Sequence, residues 1–532
     1  ALGPSAARPM TPTVLRLLLV LPALVFGGQD ACPATAGASC GTAETAAERR
    51  HPWPYARGPV GAYGVSRQAT PRNLSAALAW TWHDPKGRFG TVLNGGLVID
   101  DELNLYTAAV NGLHKLSPEG RLLWTRAGEF SAAPVLVGDR LYGDSKDGQM
   151  FALDLATGYP IWEKKVADII GPDCHSVGVS EGVMVTCADG SPMGGSRTVV
   201  ALNSSTGEAL WSFSPPSQLW NFMPMFTGNG TLLFQDQVGG AYHLSLLDGK
   251  PIWHVGTKAG FDEFWTDGMS WLGPNGLFYA VHVHAPLGGL GPTSPSHLSA
   301  HRVSDGEFVW RKDFPYPINS QPVVAQLRAD AGLSLVMCSG LQAGLPVLLH
   351  AVLGAAVGLA GGAMLAVPLG CCLRLCGLCK ARRRRLFSCL CLAPFVAAFV
   401  LACTGAINHA RTATSYFPSE VHVLDAATGQ EQWRYVFPAW NSHHVRGDAE
   451  GLLPRLLALV QPICIPNGWG SPSVDASGTV WLGHQNGLLY GLRDDDGDGR
   501  IGEAEVTTFD MEASSTHFGG AHAPGMMAWT SC

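Results

Sequence analysis

A Gly followed four residues later by a Trp recurs at the spacing of a long repeat: Gly120/Trp124, Gly158/Trp162, Gly207/Trp211, Gly249/Trp253, Gly306/Trp310 and Gly429/Trp433. An aliphatic run and an Asp or Asn precede most copies, as in Ala152-Leu-Asp-Leu-Ala-Thr-Gly158 and Val423-Leu-Asp-Ala-Ala-Thr-Gly429. Successive tryptophans lie 38, 49, 42, 57 and then 123 residues apart. A period of roughly 40–50 residues belongs to propeller blades and solenoid units, so the repeat limits the architecture ahead of any local reading.

Each unit reads as short alternating strands joined by tight turns. Between Val135 and Asp154, the pairs Gly138-Asp139 and Asp147-Gly148 mark two reversals. The Asp-x-x-Thr-Gly corner supplies an Asx-type turn, with Gly where positive φ is needed. The Trp that follows falls on the next strand and is large enough to wedge between neighbouring sheets.

This pattern resembles the pyrroloquinoline-quinone (PQQ)-like repeat family of β-propellers, whose blades carry a Gly-x-x-x-Trp docking motif. The resemblance covers roughly residues 75–340 and 413–532. It implies an all-β fold, a seven- or eight-bladed β-propeller. Six blades carry the motif, at Trp124, Trp162, Trp211, Trp253, Trp310 and Trp433, and a seventh is expected over 471–511. The runs Leu78-Ala-Trp-Thr-Trp82 and Ala523-Pro-Gly-Met-Met-Ala-Trp529 read as strands of a blade closed between the two ends of the chain.

The long last interval holds a different kind of sequence. Leu345 to Leu369 and Leu386 to Ile407 carry no charged side chain, and each is long enough to cross a bilayer. Between them lie Arg374, Lys380, Arg382, Arg383, Arg384 and Arg385. Removing 341–412 brings the long interval down to about 51 residues, in line with the other blades. The expectation is a transmembrane hairpin spliced into the sixth blade, with its basic turn cytosolic and the propeller on the opposite face. Gly354, Gly358 and Gly362 line one face of the first run, and Ala398, Ala402 and Gly405 offer a similar small-residue surface on the second, which would suit close helix packing.

Ahead of the propeller, 1–31 reads as a leader and signal peptide, with Arg16 followed by the apolar run 17–26, and 32–74 as a linker. An oxidising lumen would allow a disulfide, and Cys174 and Cys187 flank a Ser180-Glu181 turn symmetrically. Seven other cysteines fall in or beside the apolar hairpin, where lipidation suits them better than zinc. Asn73, Asn203 and Asn229 head glycosylation sequons, which agrees with a secretory-pathway or cell-surface location. The net charge is −7, and six of the 35 Lys and Arg belong to the cytosolic turn. The remainder is therefore more acidic still, which argues against nucleic acid as a partner.

The sharpest chemical motif is Asp494-Asp-Asp-Gly-Asp-Gly-Arg-Ile-Gly-Glu-Ala-Glu505. It has the twelve-residue EF-hand pattern: Asp494, Asp496 and Asp498 at positions 1, 3 and 5, the Arg500 carbonyl at 7, and Glu505 at 12. The flanking sequence is strand-like rather than helical. The loop is expected to bind Ca2+ and staple a blade, in the place where other blades carry the Asp-x-x-Thr-Gly corner.

PQQ-like propellers include quinone-dependent dehydrogenases and non-catalytic scaffolds. In the dehydrogenases the quinone stacks on a vicinal disulfide; here the vicinal pair Cys371-Cys372 lies at the membrane edge, so PQQ is not expected. His282 and His284 share one face of a strand, as metal ligands would, yet such a pair is more often core or surface. The leading reading is a membrane-anchored, calcium-binding platform that docks a protein partner on a propeller face. A quinoprotein oxidoreductase and a lumenal sensor subunit are the alternatives.

Overall fold

The computed structural model describes residues 15–19 and most of 50–531. The stretches 171–175, 191–194, 257–263, 267–269, 285–293, 344–353, 365–395, 406–416, 460–468 and 515–517, and a few single positions, lie outside the description. The chain divides into two compact units. One comprises 1–341, 419–438 and 445–532, and the other 342–418 and 439–444.

Among the described residues the larger unit is a β-propeller of eight antiparallel sheets. Seven are made of strands consecutive in the chain, spanning 98–126, 135–165, 178–213, 225–255, 264–314, 323–436 and 473–510. The eighth closes the ring from both ends of the chain, in the order Leu78–Trp82, Leu15–Leu19, Met526–Thr530, Ala521–Ala523. Both runs expected to close the ring are therefore in it. Leu15–Leu19, read from sequence as part of the leader, pairs with Leu78–Trp82 on one side and with Met526–Thr530 on the other. A short leucine-rich run with flanking strands to pair with satisfies a sheet as readily as it satisfies a leader. The rest of the expected leader lies outside the described residues.

The Gly–Trp repeat acts between blades rather than within one. Gly158, Gly207, Gly249, Gly306 and Gly429 each lie over the indole of the preceding blade's tryptophan: Trp124, Trp162, Trp211, Trp253 and Trp310. Gly120 lies in the same way over Trp80, the copy in the closing sheet. The indole N–H of four of these tryptophans reaches a carbonyl of the next blade at 2.7–2.9 Å: Trp80 to Pro118, Trp162 to Ser204, Trp211 to Leu246 and Trp253 to Val303. At the corresponding place beside Trp124, the Lys115 ammonium donates to Leu155 O at 3.0 Å instead. Each docking glycine has φ between +69° and +79°, so both the turn and the close approach require it.

Among the described residues no glycine lies over Trp433 as one does over the other docking tryptophans. Trp433 packs in a cluster with Val474, Val480, Leu482 and Tyr490 of the seventh sheet, with Ile501 from the acidic loop and Val506 from the last strand at its edge.

The sixth sheet survives its long insertion in register. Strands Ser334–Gly340 and Ser419–Asp425 pair over seven residues, from Ser334↔Asp425 to Gly340↔Ser419. The excursion therefore leaves and re-enters at adjacent positions of one ladder. Sequence placed the return at 413; the strand resumes at Ser419.

In the second unit the described helical residues are 354–361, 363–364, 396–402 and 404–405. Gly358 is buried, and a Cβ there would sit 2.6 Å from the Phe399 Cα and 3.2 Å from the Ala402 Cβ, so the two segments pack backbone to backbone. Val357, Leu359, Met364, Val396, Val400 and Leu401 are exposed. Among the described residues no helix is long and apolar enough to cross a membrane. The basic turn lies outside the described residues.

The reading of 413–532 as strands missed a helix, Asp448–Leu457. It buries Arg455 against Asp448 at 2.7 Å and beneath Phe89, and leaves Leu452, Leu453, Leu456 and Leu457 exposed.

Candidate functional site

The acidic loop joins the last two strands of the seventh sheet, Leu488–Leu492 and Val506–Asp510. That is the position of the Asp-x-x-Thr-Gly corner elsewhere, as in 154–158 between Gln149–Asp154 and Pro160–Lys165. The loop's flanks are strands, and its only helical turn is Glu503–Glu505. The helix pair of an EF-hand is absent among the described residues.

Backbone amides shape the loop around its carboxylates. Gly497 N donates to Asp494 Oδ1 at 2.7 Å, Asp498 N to Asp496 Oδ1 at 3.0 Å, and Arg500 N to Asp498 Oδ1 at 2.8 Å. Glu505 folds back to accept from Asp495 N at 2.6 Å and Gly502 N at 2.8 Å. Those amides hold the Glu505 carboxyl below its ordinary range.

Asp494, Asp496 and Glu505 place one carboxylate oxygen each within 4.8 Å of one another. A set of three hard carboxylate donors fits Ca2+ better than a transition metal. Asp498 stands outside that triad and Arg500 would contribute its carbonyl. Arg328 reaches the loop at Gly497, where its guanidinium blocks any β-carbon.

The second feature was hidden in the sequence. Residues read as a linker instead thread the middle of the propeller. Ile99 N donates to Trp53 O at 2.8 Å and Leu136 N to Pro54 O at 2.9 Å. The Tyr55 hydroxyl donates to Val179 O, and Phe226 N donates to the Tyr63 hydroxyl at 3.1 Å. Gly64 abuts Val323, and Val474 exchanges backbone hydrogen bonds with Gly64 and Ser66. These partners belong to the first strands of six different sheets, each an edge strand. One short segment can reach six such edges only where they converge, at the axis.

Arg57 lies at the centre of this segment, fully buried. Its Nη2 donates to Pro472 O at 2.5 Å, its Nη1 to Ser471 O at 3.4 Å, and its guanidinium sits 5.2 Å from the Trp271 ring. Burial lowers its pKa to about 9. The nearby Cys338 thiol is also fully buried, which pushes its pKa up. The only hint in the sequence was the aromatic run Trp53, Tyr55 and Tyr63, too rich for a solvated linker.

The remaining predicted residues are dispersed. Asn73 and Asn229 are exposed; Asn73 caps the helix Leu74–Ala77, and Asn203 accepts amide bonds from Ser205 and Thr206 at a blade corner. Cys187 is buried on the strand Val183–Ala188 and is disulfide-bonded. Cys174 lies outside the described residues.

Comparison with known proteins adds the following. The family model for outer membrane protein assembly factor BamB matches residues 71–169. Similar relatives include that factor from Xanthomonas campestris, 34% identical over 95 residues, 18% of this chain and 21% of the relative. The factor from Burkholderia pseudomallei is 28% identical over 171 residues, covering 25% of this chain and 45% of the relative. The chain thus spans less than half the length of either. Among solved structures, the quinohemoprotein alcohol dehydrogenase from Comamonas testosteroni superposes with a TM-score of 0.52 at 13% identity, covering 88% of this chain and 75% of that one. At that identity the likeness concerns the fold alone.

Proposed function

Taking as premise that this chain is a PQQ-like repeat β-propeller of the BamB type, we propose that it is a non-catalytic scaffold that docks a protein partner on a propeller face. The observation that carries this reading is the filled axis. Arg57 and its neighbours occupy the place where converging first strands would otherwise leave room for a small molecule. A propeller with its middle closed still offers its two loop-bearing faces, which suit partner docking.

We read the second unit as the scaffold's membrane anchor, a two-helix transmembrane hairpin with a basic cytosolic turn. Two features support this. Gly358 brings two apolar helical segments into backbone contact, and the ladder from Gly340 to Ser419 lets the chain leave and return on one side. The propeller would then lie in the lumen or outside the cell, as the sequons and the bonded Cys187 favour. The acidic loop would hold Ca2+ and tie the last strand of the seventh sheet to its neighbour.

The test combines topology with capture. Glycosidase treatment of sealed membranes should shift the protein only after permeabilisation or from the outer surface. Crosslinking on native membranes should recover a stoichiometric protein partner whose capture is lost when one propeller face is covered with charged substitutions. PQQ-dependent dye reduction by the purified chain would overturn the scaffold reading.

A further inference from the structure

The fifth sheet gathers four histidines and an aspartate on one of its faces. In the strands Leu277–His284, Ser296–Arg302 and Phe308–Phe314, His282 pairs directly with His297, and His297 with Asp313. Directly paired residues share a face and side chains alternate along a strand, so His284, His297, His301 and Asp313 all project the same way as His282. We propose that His284, His297 and Asp313 form a binding site for a divalent transition-metal ion of the zinc class.

Three observations support the site. One ligand atom from each of the three residues lies within 4.8 Å of the others. His284 Nε2 and His297 Nδ1 are 2.9 Å apart, a hydrogen bond in which one proton is shared between two ring nitrogens. Replacing that proton by Zn2+, with Zn–N of about 2.0–2.1 Å, needs the nitrogens to separate only to about 3.3 Å. The outer contacts also fit. The His297 ring stacks on His282 at 4.5 Å and 12°, which fixes its plane. Arg311 donates to Asp313 Oδ1 from Nε at 2.9 Å and Nη2 at 2.5 Å, orienting the carboxylate as outer partners of metal ligands do.

Two imidazoles and one carboxylate suit Zn2+, Cu2+ or Ni2+ rather than Ca2+, which separates this site from the acidic loop. Asp313 is exposed while His297 is buried, so the ion would enter from solvent and keep a water as its remaining ligand. Burial, with help from the Arg311 charge, holds the His297 pKa at about 3, so its ring is neutral.

The test uses the full chain, stripped with a chelator and then titrated with ZnCl2 by calorimetry, with Co2+ absorbance as a geometric probe. One Zn2+ equivalent is expected, and it should survive Asp494→Asn with Glu505→Gln in the acidic loop. His284→Gln and Asp313→Asn, both at partly or fully exposed positions, should each weaken it by roughly tenfold or more while leaving the circular dichroism unchanged. Wild-type affinity in both variants, or no Zn2+ bound by the wild type, would overturn the assignment.

Discussion

Gly207 leaves no room for a β-carbon over Trp162: an added methyl would lie 2.6 Å from the indole of the preceding blade. The backbone there has φ +73°, so a side chain would be strained as well as obstructed. Gly207→Ala should therefore cost about 2–4 kcal/mol, combining left-handed strain with overpacking. Gly182→Ala is the control. It has φ +80° and open space around it, and should cost only about 1 kcal/mol. Urea unfolding of the two variants separates docking from strain; equal costs would remove the indole contact from the account.

The acidic loop makes a ligand-linked prediction. Calcium that binds only the folded chain raises the unfolding temperature in proportion to the logarithm of its concentration. Scanning calorimetry should show that rise in the wild type and its loss in Asp494→Asn or Glu505→Gln. Because Asp498 stands outside the triad, Asp498→Asn should retain part of the shift.

Asp144 gives a pH test. It is fully buried, accepts from the Thr186 hydroxyl at 2.6 Å, and burial raises its pKa from 3.8 to about 7. The folded chain then holds a proton that the unfolded chain releases between pH 4 and 7. Stability from this group is complete below pH 4 and is lost as pH rises through about 7. Buried His243, His484 and His522, each lowered to about 4, act oppositely and lend stability as pH rises from 4 toward 6.5. Comparing Asp144→Asn with the wild type isolates the first effect: the gap should move in the variant's favour as pH rises from 4 to about 7 and level off above it.

Much of the architecture was legible because each Gly-x-x-x-Trp carries, at fixed spacing, the two halves of contacts made with the neighbouring blades. Trp80 carries the same contact but has no glycine four residues before it, so only its strand was recognised. The insertion was legible from its lack of charge. The helix Asp448–Leu457 was not, since Leu-Leu-Pro-Arg-Leu-Leu mixes a helix breaker with apolar pairs that suit either period. The axial segment escaped for another reason. Its partners lie on six sheets scattered over some 400 residues, a relationship with no local pattern. The His284–His297–Asp313 cluster was half visible, as His282 and His284 on one strand; cross-strand register supplied the rest.

The uninterrupted ladder between Ser334–Gly340 and Ser419–Asp425 predicts that the insertion between these two strands is dispensable for folding. Replacing 341–418 by a two-residue Asn-Gly turn should join Gly340 to Ser419 as an ordinary hairpin. The shortened protein should keep the β-sheet circular dichroism and cooperative melting of the parent. Loss of cooperative unfolding would mean that the insertion props up the sixth sheet.

Repeat proteins usually behave as rows of dominoes, in which each unit feels only those beside it and partial melting is tolerated. The strand-to-strand visits made by Trp53 through Ser66 break that rule here, for they act as a hub to which distant vanes are spoked. Loosening any one vane tugs on the others through that hub. This wheel should thus assemble late, after long-range closure, and come apart all at once.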